Sequence, residues 1–332
     1  MRATRPIFLS VFPLVVAMYV PLCTPAVRPT LAPRVAPLAE FWVRPTDLAD
    51  RDLYAGPWGA EYAPDPDAEY TFVRPKKGGV NPGMVVRDPK GRTWHVKQAP
   101  DDGRPGEGPS EVVLSRVLSA AGYHQPPVYF LPSFTLRDGS VIRTVPGGRF
   151  RLNVKSLKAR GDWSWQANPF VGMRPYQGLL VILLMFNSSD LKNSNNTLYD
   201  VDTGSGPAQW YVVRDLGAAL GETGRLAPAR NDVDVFARSR FITGVARDFV
   251  VFNYHGFHQE LIHDRISSVD VSWACYLLSG LSEQQWQDAF RAGGYPPDVA
   301  RRFIHKLRAN IDEGRRAAAG EWPLSAPRSS RD

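Results

Sequence analysis

The sequence predicts an α+β fold with a β-rich N-terminal part and a mostly helical C-terminal part. Short apolar segments separated by glycine- and proline-rich turns dominate residues 68–145, which is typical of strands. Longer segments with apolar residues at helical spacing dominate the second half of the chain. Strands followed by helices indicate two lobes or one α+β domain. A chain of 332 residues is long enough for either arrangement.

The β-rich part begins with a predicted hairpin. Its strands are MVVRD and TWHVKQ, and Pro89-Lys90-Gly91 forms the turn between them. A helix is predicted over PSEVVLSRVLSAAGY, with Ser110 as N-cap and Gly122 at its end. A second pair of strands is predicted in PPVYFLPSFTLRDGSVIRTV, around the turn at Asp138-Gly139.

The second half begins with an apolar segment, RPYQGLLVILLMFNSS, which predicts a buried helix. At about a dozen residues this helix is too short to span a bilayer. Two strands around a Gly/Ser turn are predicted in NTLYDVDTGSGPAQWYVVRDLG. The rest is predicted to be mostly helical, with helices in VDVSWACYLLSGL, in SEQQWQDAFRAGGY and in PPDVARRFIHKLRANIDEGRR.

The N-terminal residues predict a secretory signal peptide. MRATR is a basic start, IFLSVFPLVVAMYVPL is an apolar run, and small residues follow up to Ala26. This is the pattern of a segment that directs export and is then removed. We therefore expect a periplasmic or extracellular protein without a stable membrane span. The alternative is a membrane anchor formed by the uncleaved segment.

The composition also predicts a lead-in after the signal peptide and a tail at the C-terminus. The residues after the predicted cleavage site are rich in Pro, Ala and Arg, which indicates a loosely structured lead-in. We also expect a flexible tail at the C-terminus. The predicted organisation is a signal peptide at 1–26, a lead-in at 27–67, an N-lobe at 68–145, a C-lobe at 146–320 and a tail at 321–332.

Charge and cysteine content exclude some classes of function. Cleavage after residue 26 removes Arg2 and Arg5 and leaves 38 of the 40 basic side chains, against 33 acidic ones. The basic residues are scattered and form no long run, so we expect no nucleic acid as a partner. Only Cys275 remains, which excludes an intrachain disulfide and a Cys-x-x-Cys metal site and favours a buried small apolar role.

One polar segment, SSDLKNSNNTLYD at residues 188–200, directly follows the apolar helix. It places Asp190, Lys192 and Asn195 at the end of a buried element, where polar groups cost free energy unless something satisfies them. Hydrogen bonds within the loop are one explanation, and a metal ion with phosphates is the other. A second aspartate, in Asp215-Leu216-Gly217, follows the predicted strand WYVVR.

These two motifs and their order resemble the protein-kinase-like fold. The kinase catalytic loop has the pattern D-L-x-x-x-x-N and is followed by D-F-G, which Asp190-Leu191 to Asn195 and Asp215-Leu216-Gly217 resemble. The chain is most similar to divergent secreted and bacterial branches, such as the CotH spore-coat kinases and the HipA-type kinases. The resemblance extends over residues 70–220 and implies a two-lobed fold with a β-rich N-lobe and a mostly helical C-lobe.

The resemblance implies nucleotide-binding residues in the N-lobe. Lys97, in TWHVKQ, occupies the place of the lysine that contacts the α- and β-phosphates. Glu111, at the start of the following helix, would hold that lysine, and Glu107 is the alternative for this role. The glycines before the hairpin stand where a phosphate-covering loop belongs: Gly78, Gly79 and Gly83.

The resemblance also implies the catalytic residues. Asp190 would be the catalytic base and Lys192 a contact to the γ-phosphate. Asn195 and Asp215 would be the ligands of Mg²⁺ or Mn²⁺, and Asn196 replaces Asn195 if the turn is offset by one residue. The bland alternative is that these residues are turn residues that satisfy their own backbone.

The predicted function is therefore that of an exported kinase-like transferase. It would bind ATP with Mg²⁺ and transfer phosphate to an unidentified protein or small-molecule acceptor. The chain departs from ordinary kinases because Ser188-Ser189 precedes Asp190, Leu216 replaces phenylalanine, and G-x-G-x-x-G and A-P-E are missing. A non-catalytic secreted binding module and a nucleotidyl transferase on the same fold remain as alternatives.

Two further clusters invite a function and have a simpler explanation. His255, His258 and His263 lack the spacing that puts two imidazoles on one helix face, so we expect solvated or core histidines instead of a metal site. Trp163 and Trp165 in DWSWQANPF are expected to pack in the core more than to bind a ligand. The sequence contains neither G-x-S-x-G nor a strand–GxGxxG–helix segment, which excludes these serine-hydrolase and Rossmann signatures.

Overall fold

A computed structural model describes residues 38–78, 81–100, 106–204, 206–225 and 228–321. The predicted signal peptide, the start of the lead-in, Gly79 and nearly all of the predicted tail lie outside these residues. Within the described ranges, no helix combines the length and apolar composition needed to cross a membrane.

The described chain contains eleven strands and six α-helices, whose order follows the predicted class. The strands are β1 Leu38–Glu40, β2 Glu69–Pro75, β3 Gly83–Arg87, β4 Thr93–Gln98, β5 Val128–Asp138, β6 Val141–Leu152, β7 Lys158–Gly161, β8 Asn196–Asp202, β9 Pro207–Val213, β10 Ile242–Ala246 and β11 Phe249–Phe252. The helices are α1 Gly108–Ala120, α2 Arg174–Met185, α3 Val233–Arg238, α4 Ser268–Ser279, α5 Glu283–Ala292 and α6 Pro297–Ala318. The predicted α+β class, with strands first and helices afterwards, is confirmed.

Five strands form a closed sheet in the order β2-β3-β4-β6-β5, in which β2 pairs with β5 in parallel. Alternate residues of β4 and β6 point to its interior, where Trp94 and Phe150 are fully buried with ring centroids 6.0 Å apart. The other face of the same strands is basic, because the register places His95 opposite Arg151 and Lys97 opposite Arg149. The predicted hairpin is confirmed as β3 and β4.

Helix α1 lies against β5 and β6 and is buried on most of its surface. The prediction of Ser110 as its N-cap is wrong, because the helix already begins at Gly108, with Pro109 in the first turn. The Ser110 hydroxyl instead donates to the backbone oxygen of Gly217 at 2.9 Å. This bond holds the start of α1 against the Asp215-Leu216-Gly217 segment.

The second sheet has the order β1-β9-β8-β7. The apolar helix α2 ends just before the polar loop at residues 188–195, which leads into β8. Residues 178–185 of α2 are all buried, as the sequence predicts. The helix ends at Met185, and Asn187, two residues later, adopts a left-handed conformation with φ of 53° and donates from Nδ2 to Gly221 O at 2.7 Å. The chain turns there and enters the predicted catalytic loop, whose first residues, Ser188 and Ser189, are still buried.

The C-terminal helices α4, α5 and α6 lie where the sequence predicts them. Capping boxes begin α4 and α5, in which Ser267 pairs with Asp270 and Ser282 with Gln285. The prediction of a mostly helical region does not include the hairpin of β10 and β11. These strands have five and four residues, and at such lengths a local apolar pattern does not distinguish a strand from a helix.

Two predicted boundaries differ from the structure. The limit between N-lobe and C-lobe at 145/146 falls inside β6, because this strand pairs continuously with β5 from residue 141. Residues 38–67 are packed instead of loose: Phe41 and Leu53 are buried in the main core, and β1 pairs in parallel with β9. Apolar and aromatic side chains in this proline-rich segment gain more from burial than its composition suggests.

Candidate active site

Lys97 is the centre of the candidate site. Its side chain projects from the basic face of β4, is only 4% exposed, and directs Nζ towards three carboxylates. Nζ lies 3.0 Å from Glu107 Oε2 and 3.3 Å from Glu111 Oε2, and it also pairs with Asp215 Oδ1. Burial lowers the pKa of Lys97, but attraction by the three carboxylates outweighs burial and raises it above the ordinary value. The ammonium group is therefore charged.

Glu111 connects Lys97 to a second cation. Its Oε1 lies 3.0 Å from Arg149 Nε, while Oε2 faces Lys97. Arg149 projects from β6 at the position opposite Lys97, so the β4–β6 register alone brings the two cations to one carboxylate. Burial raises the pKa of Glu111, but the attraction of Arg149 and Lys97 lowers it by a larger amount, so the pKa lies below its ordinary value. The buried charges compensate each other.

Glu107 also binds Lys97, so the two glutamates share the role that the sequence left open between them. Glu107 precedes α1; its Oε2 accepts from Asn81 Nδ2 at 2.6 Å, and its Oε1 pairs with Arg230. Gly217 approaches so closely that an added Cβ would lie 2.5 Å from the Cβ of Glu107. Only glycine fits at 217 without a shift of its neighbour.

Asp215 follows β9 and supplies the third carboxylate. It adopts a left-handed backbone conformation with φ of 55°, which is uncommon for a residue with a side chain and is found most often at functional sites. Its side chain is 49% exposed. Burial raises its pKa, but Lys97, with help from Arg149 and Arg151, lowers it to about 2. Asp215 therefore presents a half-exposed, ionised carboxylate.

The loop at 188–195 is held in place by its own hydrogen bonds. Asn195 Nδ2 donates to the backbone oxygen of Asp190 at 2.8 Å, and Asp190 Oδ1 pairs with Lys192 at 2.9 Å. The Lys192 ammonium lies 4.4 Å from the centre of the Phe257 ring. The backbone oxygen of Asn195 accepts the N–H of Arg214 at 2.9 Å, and this bond places Asn195 beside the Asp215 segment.

The glycines of the predicted phosphate loop have structural explanations. Gly78 has φ of 70°, which favours glycine, and space around it is open. A Cβ on Gly83 would overlap the backbone oxygen of Val96 on the paired strand. Gly79 lies outside the described residues. The phosphate role of these glycines therefore stays a prediction.

The oxygen atoms near Asp215 fit a hard divalent cation. Within the described ranges, no group of three or more His, Cys, Asp or Glu side chains could hold a metal ion. Asp215 offers a half-exposed carboxylate, and the amide oxygen of Asn195 has no hydrogen-bond partner among the described residues. Mg²⁺ is usually held by one or two such oxygens together with water and phosphate. The chemistry of these two side chains is compatible with Mg²⁺, and their role as its ligands stays a prediction.

The histidine and tryptophan clusters have local partners among the described residues. His258 Nδ1 lies 2.7 Å from Glu260 Oε1, and His255 Nε2 lies 3.2 Å from Asn253 Oδ1, so these histidines have separate local partners. Trp163 and Trp165 are buried and pack on each other at 4.7 Å between ring centroids. This agrees with the expected core role.

Two solved kinase structures are similar to the chain. One is the proinflammatory kinase CtkA of Helicobacter pylori, with 11% sequence identity and a TM-score of 0.45, over 78% of this chain and 100% of CtkA. The other is the Rio2 kinase of Chaetomium thermophilum in a complex with ADP/Mg²⁺ and phosphoaspartate, with 13% identity and a TM-score of 0.26 over 74% of this chain and 72% of that one. No protein-family model and no curated protein matches the sequence.

Both similarities are remote, so the kinase-like character of the fold is best seen in the molecule itself. Helix α1, which lies between β4 and β5 of the five-stranded sheet in the chain, brings Glu111 into contact with Lys97. The hairpin of β8 and β9 then brings the loop at 188–195 next to Asp215. This is the arrangement that the predicted kinase-like fold requires. The predicted resemblance is thus confirmed for the fold.

Sequence reasoning missed several basic residues of the site. Arg149 and Arg151 line the same face as Lys97, and Arg230 pairs with Glu107 from a distant loop. The signal for the first two is present in GGRFRL, where arginines alternate with residues that face the interior of the sheet. The position of Arg230 depends on tertiary folding and has no local signal.

Proposed function

We propose that the protein is an ATP-dependent phosphotransferase of the kinase-like type. The observation that carries this proposal is the group of charges at Lys97. A buried lysine held by Glu111 lies against a half-exposed aspartate, which itself follows strand β9 and lies beside the loop carrying Asn195. Phosphoryl transfer depends mainly on such positioned charges, because the reaction needs little covalent chemistry from the protein.

In this proposal Lys97 binds the phosphates of ATP. Its ammonium group is fixed in direction by Glu107 and Glu111, so little conformational freedom is lost when phosphate oxygens approach. Arg149 keeps Glu111 in place, and Ser110 fixes the start of α1 to Gly217. The β4 strand and helix α1 therefore act as one rigid unit around the lysine.

Asn195 and Asp215 would hold Mg²⁺ or Mn²⁺. When bound, the ion would neutralise charge on the phosphate oxygens and orient them. The low pKa of Asp215 keeps its carboxylate ionised throughout the physiological range, as a ligand must be.

Asp190 would accept the proton of the attacking hydroxyl. The acceptor oxygen forms a bond to the γ-phosphorus while the bond from that phosphorus to the bridging oxygen breaks, and ADP leaves. Lys192 pairs with Asp190 at 2.9 Å and is itself 44% exposed, so it can turn towards the transferred phosphate. The pattern of residues 1–26 supports placing this activity outside the cytosol.

Nucleotide binding is the decisive test. Titration of the purified protein with ATP, with and without Mg²⁺ or Mn²⁺, is expected to show metal-dependent binding that Asp215→Ala abolishes. Asp248→Ala is the matched control, because Asp248 is an exposed aspartate in the turn between β10 and β11. A folded wild type that binds no nucleotide would favour the non-catalytic binding module.

The mass that an intact candidate acceptor gains distinguishes phosphate transfer from nucleotide transfer. Addition of phosphate supports the proposal, whereas addition of AMP identifies a nucleotidyl transferase on the same fold. The Asp190→Asn variant is incubated with the same acceptors. A modification that proceeds at the wild-type rate in this variant would exclude Asp190 as the base.

A further inference from the structure

A second buried cation, Arg116, lies on α1 away from the candidate active site. Its side chain is only 2% exposed, and its Nε has no hydrogen-bond partner. No ion pair or hydrogen bond joins its guanidinium to any residue in the described part of the chain. Its contacts are the Tyr129 ring, 5.0 Å from Cζ, and the backbone of Gly56, where an added Cβ would overlap the guanidinium.

Among the described residues, the carboxylate that attracts Arg116 is that of Asp52, and it does not neutralise the guanidinium. Asp52 is exposed, and its Oδ1 accepts the backbone N–H groups of Tyr54 and Ala55 at 2.8 and 3.0 Å. Burial lowers the pKa of Arg116 to about 10, so the group still carries its charge at neutral pH. A buried charge without a partner is unfavourable, so the guanidinium gains free energy from an anion that enters the adjoining cavity.

Arg116 lines a cavity of about 360 Å³ between residues 54–66, strand β5 and the end of α5. Most of the wall is apolar or aromatic, with Tyr54, Tyr129 and Leu131 among its members. A second arginine, Arg291, lies at the rim with 62% of its side chain exposed. It already pairs with Asp288 at 2.8 Å and lies over the Tyr54 ring at 4.0 Å.

The cavity therefore contains about one uncompensated positive charge, that of Arg116, beside a mostly apolar wall. A neighbouring cavity also touches Arg116, but it is lined by Asp52 and by the ion pair of Asp47 with Arg51 at 2.8 Å, so the carboxylate of Asp52 disfavours an anion there. A single charge matches a monoanion better than a dianionic phosphate. A guanidinium also binds a carboxylate through two parallel hydrogen bonds.

We propose that the cavity lined by Arg116, Tyr129 and Arg291 binds a small organic carboxylate. The carboxylate group pairs with Arg116, and an aromatic or aliphatic body packs against the tyrosines and Leu131. This site is separate from the one around Lys97 and does not depend on the proposed phosphotransfer.

The probe for this site is 4-fluorophenylacetate, followed by ¹⁹F NMR line broadening in the presence of the full-length protein. The acid is expected to bind, and unlabelled phenylacetate to displace it. The neutral amide, 4-fluorophenylacetamide, is expected to bind at least about tenfold more weakly, because a charge-assisted pair is lost. Saturating ATP with Mg²⁺ is expected to leave the acid bound, since the two sites are distinct.

Two kinds of variant locate the probe. Arg116→Met is expected to weaken acid binding about 10- to 100-fold and to leave the amide unchanged. Ala292 lines the cavity and is half-buried at the end of α5, so Ala292→Phe is expected to block the acid while Ala292→Ser retains it. If Arg116→Met does not fold, the Ala292 pair decides.

The proposal is overturned by any of three results. These are no binding of the acid to folded wild type, equal binding of acid and amide, or wild-type affinity in both Arg116→Met and Ala292→Phe. Displacement of the acid by ATP with Mg²⁺ would place it in the active site and would equally overturn the proposal.

Discussion

Lys97 and Arg116 are both buried cations at helix α1, but their surroundings differ. Lys97 meets the helix through Glu111 and is surrounded by three carboxylates. Arg116 belongs to the helix itself, lies over the Tyr129 ring and against Gly56, and forms no ion pair with a described residue. The first charge is compensated within the protein, so its removal leaves anions without a partner. The second is not compensated, so its removal takes away an unfavourable burial.

The largest effect is expected from Lys97→Met. Glu107, Glu111 and Asp215 would lose their common cation, and breaking a buried pair on one side typically costs about 3–5 kcal/mol of unfolding free energy. Urea unfolding of the variant measures this loss. Lys90→Met, at an exposed turn position, is the matched control and is expected to stay within about 0.5 kcal/mol of wild type. Equal stability of both variants would mean that the lysine does not hold the carboxylates together.

A second large effect concerns turnover. Asp190→Asn is expected to lower the rate of ADP formation from ATP by about 10²–10⁴-fold, as removal of a general base does. Nucleotide affinity is expected to stay unchanged, because the substitution keeps the shape of the side chain. Kinetic and binding titrations of the same preparation check both statements. Unchanged turnover in an active preparation would remove Asp190 from its proposed role.

An effect of intermediate size is expected from acid. Asp215 has a folded pKa of about 2 against an ordinary value of 3.8, so it stabilises the fold above pH 3.8 and loses this contribution as the pH falls towards 2. The half-exposed side chain weakens the contribution through solvent screening. Acid unfolding of Asp215→Asn is therefore expected to be less steep than that of wild type in this range. Arg116→Met should retain the wild-type slope, since no ion pair involves Arg116.

The smallest effect on stability is expected from Arg116→Met. Replacing an unpaired buried charge by an apolar side chain of similar length is neutral or stabilising, by up to a few kcal/mol. Thermal unfolding measures the change, and Arg149→Met is measured for comparison. Arg149 is equally buried but pairs with Glu111, so its loss is expected to destabilise the protein. A strong destabilisation by Arg116→Met would show that the ring of Tyr129 alone compensates the charge.

The sequence predicted those parts of the molecule that depend on local patterns. Alternation in TWHVKQ identified β4 and the side of the sheet that Lys97 occupies, and the apolar run before Ser188 identified α2. The choice between Glu107 and Glu111 had no local answer, because both stand within one helical turn, and the structure uses both. The partnership of Glu111 with Arg149 depends on pairing between strands far apart in sequence, which composition and spacing do not contain.

Arg116 is a second feature that the local sequence does not predict. In sequence it is one polar residue in SEVVLSRVLSA, where the pattern predicts an exposed position on an amphipathic helix. It is buried because residues 38–67 pack over this face of the molecule, a segment whose composition predicted a loose lead-in. The incorrect prediction for this segment thus concealed the cavity that its residues 54–66 form with β5 and the end of α5.

The contact between Gly217 and Glu107 has a consequence for how this sequence can change over generations. Any larger residue at 217 collides with Glu107, and a shift of Glu107 would disturb Lys97, Asn81 and Arg230 together. A substitution at 217 is therefore tolerated only if position 107 changes at the same time. Relatives that retain the lysine should vary at these two positions in a correlated manner, even where the rest of the chain has diverged beyond recognition.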